Sequence, residues 1–226
     1  MKTDAPARAD LDRRSTLTRQ RVLEAAVELA DRDGIESVSM RRLAHQLGIE
    51  AMSLYTHVRS KEDLLDGMVD VVMAEVPSPA ATDDWKSALR ATILGAREAL
   101  RRHPWAPSVI ETRVAPGPAT LRQFDRVMGI LREGGCSLEL THHALHLLGS
   151  RLLGFTRELF DDSPDLAPEE AAAMADQLRP TLPHVAEMAM AATHDDGLGG
   201  CDTDLEFVFS LDVILDGLER LQKGSG

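Results

Sequence analysis

The sequence predicts an all-α protein, and three observations indicate that fold class. Apolar residues recur at positions i, i+3, i+4 and i+7 along most of the chain, and no convincing alternation of period two is present. Capping residues, glycines and prolines separate the periodic segments. Hydrophobic residues make up 43% of the 226 residues and charged residues 27%, so the chain can bury a core, which excludes intrinsic disorder as its main state.

Two helices are expected at the start, after a polar arm over residues 1–16. The first begins behind Thr18, whose hydroxyl suits an N-cap, and ends at Gly34, where a glycine accommodates a left-handed backbone. The second lies between Ser39, another N-cap, and Gly48, another terminating glycine. Both segments carry apolar residues at helical spacing, so each is expected to bury one face.

Two further helices are expected close behind. A short helix over about residues 51–58 carries Leu54 and Val58 on its inner face. A fourth helix begins after Ser60, in a pattern similar to a capping box with Asp63 where glutamate is usual. The sequence therefore predicts two short helices joined by a tight turn and followed by a longer helix.

The rest of the chain is expected to form helices divided by prolines, glycines and polar loops. Their expected ranges are residues 85–102, 118–134, 137–160, 168–179, 182–194 and 203–222. The last helix carries two adjacent apolar stripes, which is wider than one core face requires. This width indicates that the helix, together with the helix over residues 137–160, packs against a second copy of the chain in a four-helix interface. The partner-facing residues are expected among Leu211, Leu215 and Leu218.

Residues 39–61 form a predicted helix-turn-helix, the most informative segment of the sequence. A short helix fits the major groove of duplex DNA, where base edges offer distinguishable donors, acceptors and methyl groups. With Leu54 and Val58 anchored in the core, the residues expected to face the bases are Ala51, Met52, Ser53, Thr56 and His57. The residues expected to contact phosphates, which fix register without reading sequence, are Arg41, Arg42, Tyr55, Arg59 and Lys61.

The distribution of charge agrees with a nucleic-acid-binding N-terminal part. The net charge is -12, yet residues 1–61 carry 11 Lys/Arg against 9 Asp/Glu, whereas residues 62–226 carry 14 against 28. Such asymmetry favours a polyanion-binding end, although ordinary solvated charge is the alternative. The helix-turn-helix has its own alternative as a packing motif, with Tyr55 in the core and His57 a solvated surface histidine.

Three strings of the N-terminal segment carry a recognisable pattern. They are Gly34–Ala44, Leu47-Gly48-Ile49 and Ser53–Leu65. They resemble the DNA-binding domain of TetR-family transcriptional regulators over about residues 18–75, with compatible spacing throughout. A weaker resemblance to the tetracycline-repressor subgroup extends through Asp84-Trp85, Arg101–Pro104, Gly134–Ser137 and Phe207–Glu219.

The resemblance implies a domain organisation and a function. It implies a DNA-binding domain over residues 17–61, a helical ligand-binding and dimerisation domain over residues 62–222, and a tail over residues 223–226. The implied protein is a ligand-responsive regulator, with repression the expected mode, released from an inverted-repeat operator by a small, largely apolar molecule. The implied partners are duplex DNA, that effector and a second copy, while no catalytic activity, cofactor or membrane contact is expected. A ligand-independent regulator is one alternative, and a helical enzyme using residues 142–146 is another.

The ligand-binding residues are expected on the helices of the second domain. They are Trp105, Phe124, His146, Arg151, Phe155, Glu158, Met174 and Met188. Aromatic and methionine side chains make adaptable apolar walls, and a few polar groups would orient the ligand, although the same side chains can simply pack as core. Metal–tetracycline is not the expected ligand, because the histidines that bind the metal in such sensors have no match near Val109–Arg113 or Glu75–Pro77.

Histidine and cysteine residues point to no further chemistry. His142 and His146 lie four residues apart on one expected helix, but no third metal ligand is identifiable, so packed or interfacial histidines are favoured over a metal site. Cys136 and Cys201 alone do not indicate a disulfide framework. Since the sequence also carries no long apolar segment and no secretory signal pattern, the expected compartment is the cytoplasm.

Overall fold

The structure, a computed structural model, describes residues 17–80, 84–113, 115–154, 168–192 and 203–224. These ranges contain α-helices and short turns without any strand, which confirms the predicted all-α class. The helices are α1 (Arg19–Asp33), α2 (Met40–Leu47), α3 (Ala51–Leu54), α4 (Lys61–Ala74), α5 (Trp85–Arg102), α6 (Ala106–Glu111), α7 (Pro118–Glu133), α8 (Leu138–Gly154), α9 (Pro168–Leu178), α10 (Pro183–Ala192) and α11 (Thr203–Gly224). Among the described helices, none combines the length and the apolar character that crossing a bilayer requires.

The first two helices begin and end at the residues that the sequence predicts. The Thr18 hydroxyl accepts a hydrogen bond from the Arg21 backbone N–H at 3.2 Å, and the Ser39 hydroxyl caps α2 in the same way. Gly34 and Gly48 follow the two helices with φ of +81° and +67°, a backbone region that residues with a Cβ rarely adopt. Local capping chemistry therefore sets the bounds of both helices.

Helix α3 is shorter than the predicted range of residues 51–58. The α-helix ends at Leu54, and the backbone N–H groups of Tyr55, Thr56 and His57 bond to carbonyls only three residues earlier. This tighter turn still places Val58, like Leu54, in the core with almost no exposed surface. The prediction was wrong about the length of the helix, whereas the burial of its two anchoring residues is confirmed.

Helix α4 is the central element of the N-terminal half, because it packs against α1, α5, α6 and α7. Its core face is buried and includes Leu64, Met68 and Val72. Gly67 lies where α1 approaches most closely: a Cβ added there would lie 2.5 Å from Leu23 Cδ2. A side chain at residue 67 would therefore require the Leu23 side chain to shift.

The chain divides into two compact units, residues 1–146 and residues 147–226, and the division falls within α8. In the first unit, Asp70 of α4 accepts hydrogen bonds from the backbone N–H groups of Ala119 and Thr120 at 3.1 and 3.3 Å, which caps α7. In the second unit, α9 packs against α10, and the core face of α11 is buried at Phe207, Leu211, Leu215 and Leu218.

Candidate functional site

The predicted DNA-reading face lies on α3 and the turn that follows it. Met52 is 76% exposed, and Ser53 and Thr56 are exposed beside it, whereas Leu54 and Val58 are buried. Ala51 and His57 are partly exposed at the edges of this face. The segment thus divides into an anchored side and a free side, as an element that enters a DNA groove requires.

Basic residues flank the reading face on both sides. Arg41, Arg59 and Lys61 are exposed, and Tyr55 is 47% exposed. Arg42 is exposed as well, but its Nη2 donates to Asp33 Oδ2 at 2.7 Å, so this side chain already has an internal partner. These positions agree with phosphate contacts, although a phosphate would have to compete with Asp33 for Arg42.

A basic groove that the sequence did not reveal lies between α1 and α2. It has a volume of about 370 Å³, and its polar lining is Arg32, Arg41, Arg42, His45 and Gln46. Arg32 hydrogen-bonds to Asp33 and, with Arg42 nearby, holds the pKa of that carboxyl below its usual value. The carboxylate therefore stays ionised and offsets part of the positive charge of the groove.

Asp63 joins α1, the end of the reading segment and α4. Its carboxylate accepts two hydrogen bonds from the Arg19 guanidinium, at 2.8 and 3.1 Å, and one from the Arg59 backbone N–H at 2.7 Å. Arg19 Nη1 also donates to the His57 carbonyl at 2.7 Å. The start of α1, the end of the reading segment and the start of α4 are thereby tied to one carboxylate.

This arrangement corrects the capping-box interpretation. The Ser60 hydroxyl does accept from the Asp63 N–H at 3.1 Å, but the Asp63 carboxylate bonds to the N–H of Arg59, one residue further back than a capping box would use. The hydrogen bond from Arg19 is the main reason that the pKa of Asp63 lies below its usual value, even though burial raises it. No local pattern could have identified Arg19, because it lies 44 residues away.

A second polar cluster joins α1 to the ends of α4 and α5. His103 Nδ1 lies 2.8 Å from Asp31 Oδ1, and its Nε2 lies 3.3 Å from Glu75 Oε1. Trp105 Nε1 donates to the same Asp31 oxygen at 2.7 Å, and Arg102 pairs with Glu75 at 2.9 Å. His103 is only 7% exposed, so its ring is held between these two carboxylates and shielded from water.

The predicted ligand-binding residues are distributed over both compact units. Trp105 is buried with its indole N–H bonded to Asp31, and it does not line the cavity between α4, α6 and α7 that includes Phe124. His146 is exposed on α8, and Met174 and Met188 are exposed on α9 and α10. Phe155 and Glu158 lie outside the described residues.

Arg151 has partners within the second unit. Its guanidinium donates to the Ser210 hydroxyl and to the Glu206 carbonyl, the latter at 2.9 Å, and lies 5.2 Å from the centre of the Phe207 ring. These contacts position the last part of α8 against α11. Its predicted role toward a ligand stays a prediction.

The residue assignment on α11 needs a correction. Leu211, Leu215 and Leu218 are buried within the single chain, so their side chains are not available to a partner. The exposed large apolar residues of this helix are instead Leu205, Phe209, Val213 and Leu221. Leu205, Phe209 and Val213 follow at intervals of four residues and so form one row along the helix, and Leu221 lies about two turns further on.

The histidines of α8 are exposed and lie close together. The ring centres of His142 and His146 are 4.6 Å apart, and those of His142 and His143 are 5.6 Å apart. Across the described part of the chain, no three His, Cys, Asp or Glu residues are grouped so that they could hold a metal ion. The described residues thus place no third ligand beside His142 and His146.

Two family sequence models match the chain in adjacent segments. The model described as "Bacterial regulatory proteins, tetR family" matches residues 22–68. The model described as "Tetracyclin repressor-like, C-terminal domain" matches residues 77–222. Together they cover the helix-turn-helix and most of the remaining chain.

Individual proteins are similar over nearly the whole length. The chain is 36% identical to the HTH-type transcriptional repressor DrrR1 of Streptomyces coeruleorubidus, across 91% of this chain and 78% of that protein. It is 31% identical to the tetracycline repressor protein class D of Escherichia coli, across 90% and 89% of the two chains. The crystal structure of the Streptomyces coelicolor TetR family protein ActR in complex with (S)-DNPA matches with a TM-score of 0.71 and 28% identity, across 93% of this chain and 99% of that one.

Proposed function

The chain belongs to the TetR family of bacterial regulatory proteins, and from that membership we propose that it is a repressor that binds an inverted-repeat operator as a homodimer. Ligand-responsive, DNA-binding regulation of transcription is the function of the family to which it belongs. The observation that carries the proposal is the division of residues 51–58 into an exposed reading face and a buried anchor. Residues 17–61 are accordingly the proposed DNA-binding domain, and residues 62–222 the proposed ligand-binding and dimerisation domain.

The proposed effector is a small, largely apolar molecule. The relative ActR has been crystallised with (S)-DNPA, and the class D relative is named a tetracycline repressor. Release from DNA requires that the effector bind the DNA-incompetent state more tightly. A coupling free energy of about 1–3 kcal/mol, which corresponds to roughly 5–150-fold in operator affinity, is typical of allosteric proteins.

Regulation, rather than catalysis, is the proposed role of the whole chain, because the similar proteins are transcriptional regulators. The proposed dimer contact includes the exposed apolar side of α11 defined by Leu205, Phe209, Val213 and Leu221. An apolar face of this kind is stabilised when a second copy removes it from water. The cytoplasmic location that the sequence favours stays a prediction.

A mobility-shift experiment tests this function. The probe is duplex DNA from the region flanking the gene, and the control is a scrambled duplex of the same composition. We expect specific binding that weakens with salt, and weaker binding in the presence of compounds that raise the melting temperature of the free protein. If stabilising compounds are found and none changes operator affinity, the ligand-independent regulator becomes the better account.

A further inference from the structure

The three exposed histidines of α8 form a group of side chains that the proposed function does not use. His142 and His146 lie four residues apart, so they are neighbours on one side of the helix. The rings of His142, His143 and His146 contact one another, and no described residue offers their nitrogens a hydrogen bond or an ion pair. These nitrogens are therefore available to a ligand from solvent.

The distance between His142 and His146 suits two ligands of one metal ion. Neutral imidazole nitrogens bind zinc at about 2.0–2.1 Å, which places each ring centre about 3.2 Å from the ion. At a tetrahedral angle, the two ring centres then lie about 5 Å apart. The observed separation is 4.6 Å. Rotation about the side-chain bonds, which is fast for exposed residues, can turn one nitrogen of each ring toward the same ion.

His143 lies next to this pair but does not belong to it. Successive residues of an α-helix are turned by about 100° around the helix axis, and the ring centre of His143 lies 5.6 Å from that of His142. Among the residues that the structure describes, no group of three ligands could hold an ion. Two positions of a four-coordinate ion are therefore left to water, in the way that open metal sites keep a water ligand.

The surroundings of the pair favour a cation, and the type of ligand selects the kind of cation. Glu139 is exposed and lies three residues before His142, and residues 62–226 carry 28 acidic against 14 basic residues. Such a charge distribution raises the local concentration of cations. Imidazole nitrogen suits zinc, copper and nickel, whereas magnesium and calcium prefer oxygen ligands. The pair thus fits a divalent transition-metal ion.

We propose that His142 and His146 together bind one divalent transition-metal ion at the surface of α8. Binding at this site requires neither DNA nor an effector, so the inference goes beyond the proposed regulation of transcription. Both ligands lie on one helix and within the first compact unit, so a single chain supplies the whole pair. The ion links two successive turns of α8 and stabilises the folded chain relative to the unfolded one.

Titration of the full chain with zinc chloride, in the absence of DNA, tests the proposal. Calorimetry gives the dissociation constant, and the NMR shifts of the histidine ring nitrogens show which imidazoles the ion contacts. His142→Gln and His146→Gln each remove one ligand from an exposed position. The control His143→Gln makes the same change beside the pair, and magnesium chloride is the control for binding to the acidic surface. Circular dichroism reports whether each variant is folded.

We expect His142→Gln and His146→Gln each to weaken zinc binding by about tenfold or more, and His143→Gln to change it by less than about twofold. Copper should bind more tightly than zinc, and magnesium should bind far more weakly. Equal affinity for zinc and magnesium, an equal loss in His143→Gln, unchanged affinity in either ligand variant, or no zinc binding up to about 1 mM would each overturn the proposal. The comparison of zinc with magnesium uses the unmodified chain, so it does not depend on any variant being folded.

Discussion

At the scale of single residues, Asp63 is the side chain on which the position of the reading segment depends most. Its carboxylate accepts hydrogen bonds from the Arg19 guanidinium of α1 and from the Arg59 backbone N–H in the loop before α4. Hydrogen bonds to a charged group contribute more than neutral ones, and this carboxylate is largely shielded from water. Its removal should therefore affect both the stability and the geometry of the helix-turn-helix.

Asp63→Asn should lower the free energy of unfolding by about 1–3 kcal/mol at neutral pH, because it removes the charge from these hydrogen bonds. The pKa of Asp63 is lowered in the folded state, so its stabilising effect is complete above the unfolded pKa of about 3.9 and disappears as pH falls through the folded value. Urea unfolding at neutral and at acid pH measures this difference. The exposed Asp125→Asn is the control, and a gap between Asp63→Asn and the unmodified chain that persists unchanged in acid would contradict the account.

A second prediction at this scale concerns the reading face. Lys61→Ala should weaken binding to all DNA sequences alike and reduce the salt slope by about 0.9, because one phosphate contact is lost. Ser53→Ala should instead change base preference at one position of each half-site. Selection from a library of duplexes separates the two effects, with Lys86→Ala, outside the helix-turn-helix, as the control. A loss of affinity for all sequences in Ser53→Ala, with preference unchanged, would show that this face does not read bases.

At the scale of helices, the Asp31–His103–Glu75 cluster fixes α1 to the far ends of α4 and α5. Helix α1 and the ends of helices α4 and α5 therefore share one buried imidazole ring. A movement of α4 relative to α5 would have to change these contacts. The cluster is thus placed to restrict movement of the DNA-binding domain relative to α5.

His103→Ala should destabilise the chain by about 1–3 kcal/mol, because Asp31 and Glu75 lose their shared hydrogen-bond partner while they stay partly shielded from water. Chemical denaturation measures the change. His184→Ala, a histidine that is 95% exposed on α10, should leave stability unchanged. Similar unfolding free energies for the two histidine variants would mean that the cluster contributes little.

Most helices could be predicted from the sequence because their signals are local. Thr18, Ser39 and Ser60 each cap the helix for which the sequence predicts them. The end of α3 was mispredicted because apolar spacing does not distinguish an α-helical turn from a tighter one. Helix α6 has only six residues, too few to show a period. The Asp31–His103 contact spans 72 residues, so no pattern within the sequence could have revealed it.

The difference between local signals and long-range contacts also explains which parts of the candidate sites could be predicted from the sequence. The exposed and buried residues of the reading segment follow from local spacing, and the structure agrees with the prediction for Met52, Leu54 and Val58. The partner-facing side of α11 did not follow from spacing, since two apolar stripes look alike until packing buries one of them. The cavity that includes Phe124 lies between three helices, and their meeting is a property of the tertiary structure.

At the scale of the whole molecule, the exposed apolar side of α11 should hold two copies together. Phe209→Glu should give a monomer at micromolar concentration, because the dimer would have to bury an unpaired charge. Sedimentation measures the mass, and circular dichroism should show that the helices persist. Leu121→Glu makes the same kind of change at a 51% exposed leucine of α7 and should leave the dimer intact. A Phe209→Glu variant that remains dimeric would place the interface elsewhere.

The measurement that tests the central claim most directly is the mass and affinity of the complex with an operator duplex. A duplex with an intact inverted repeat is compared with one in which a single half-site is scrambled, by light scattering and titration at fixed salt. The account predicts two chains on the intact duplex and a large loss of affinity when either half-site is changed, because two reading faces must engage together. One chain per duplex, or equal affinity for the intact and the half-scrambled duplex, would contradict it.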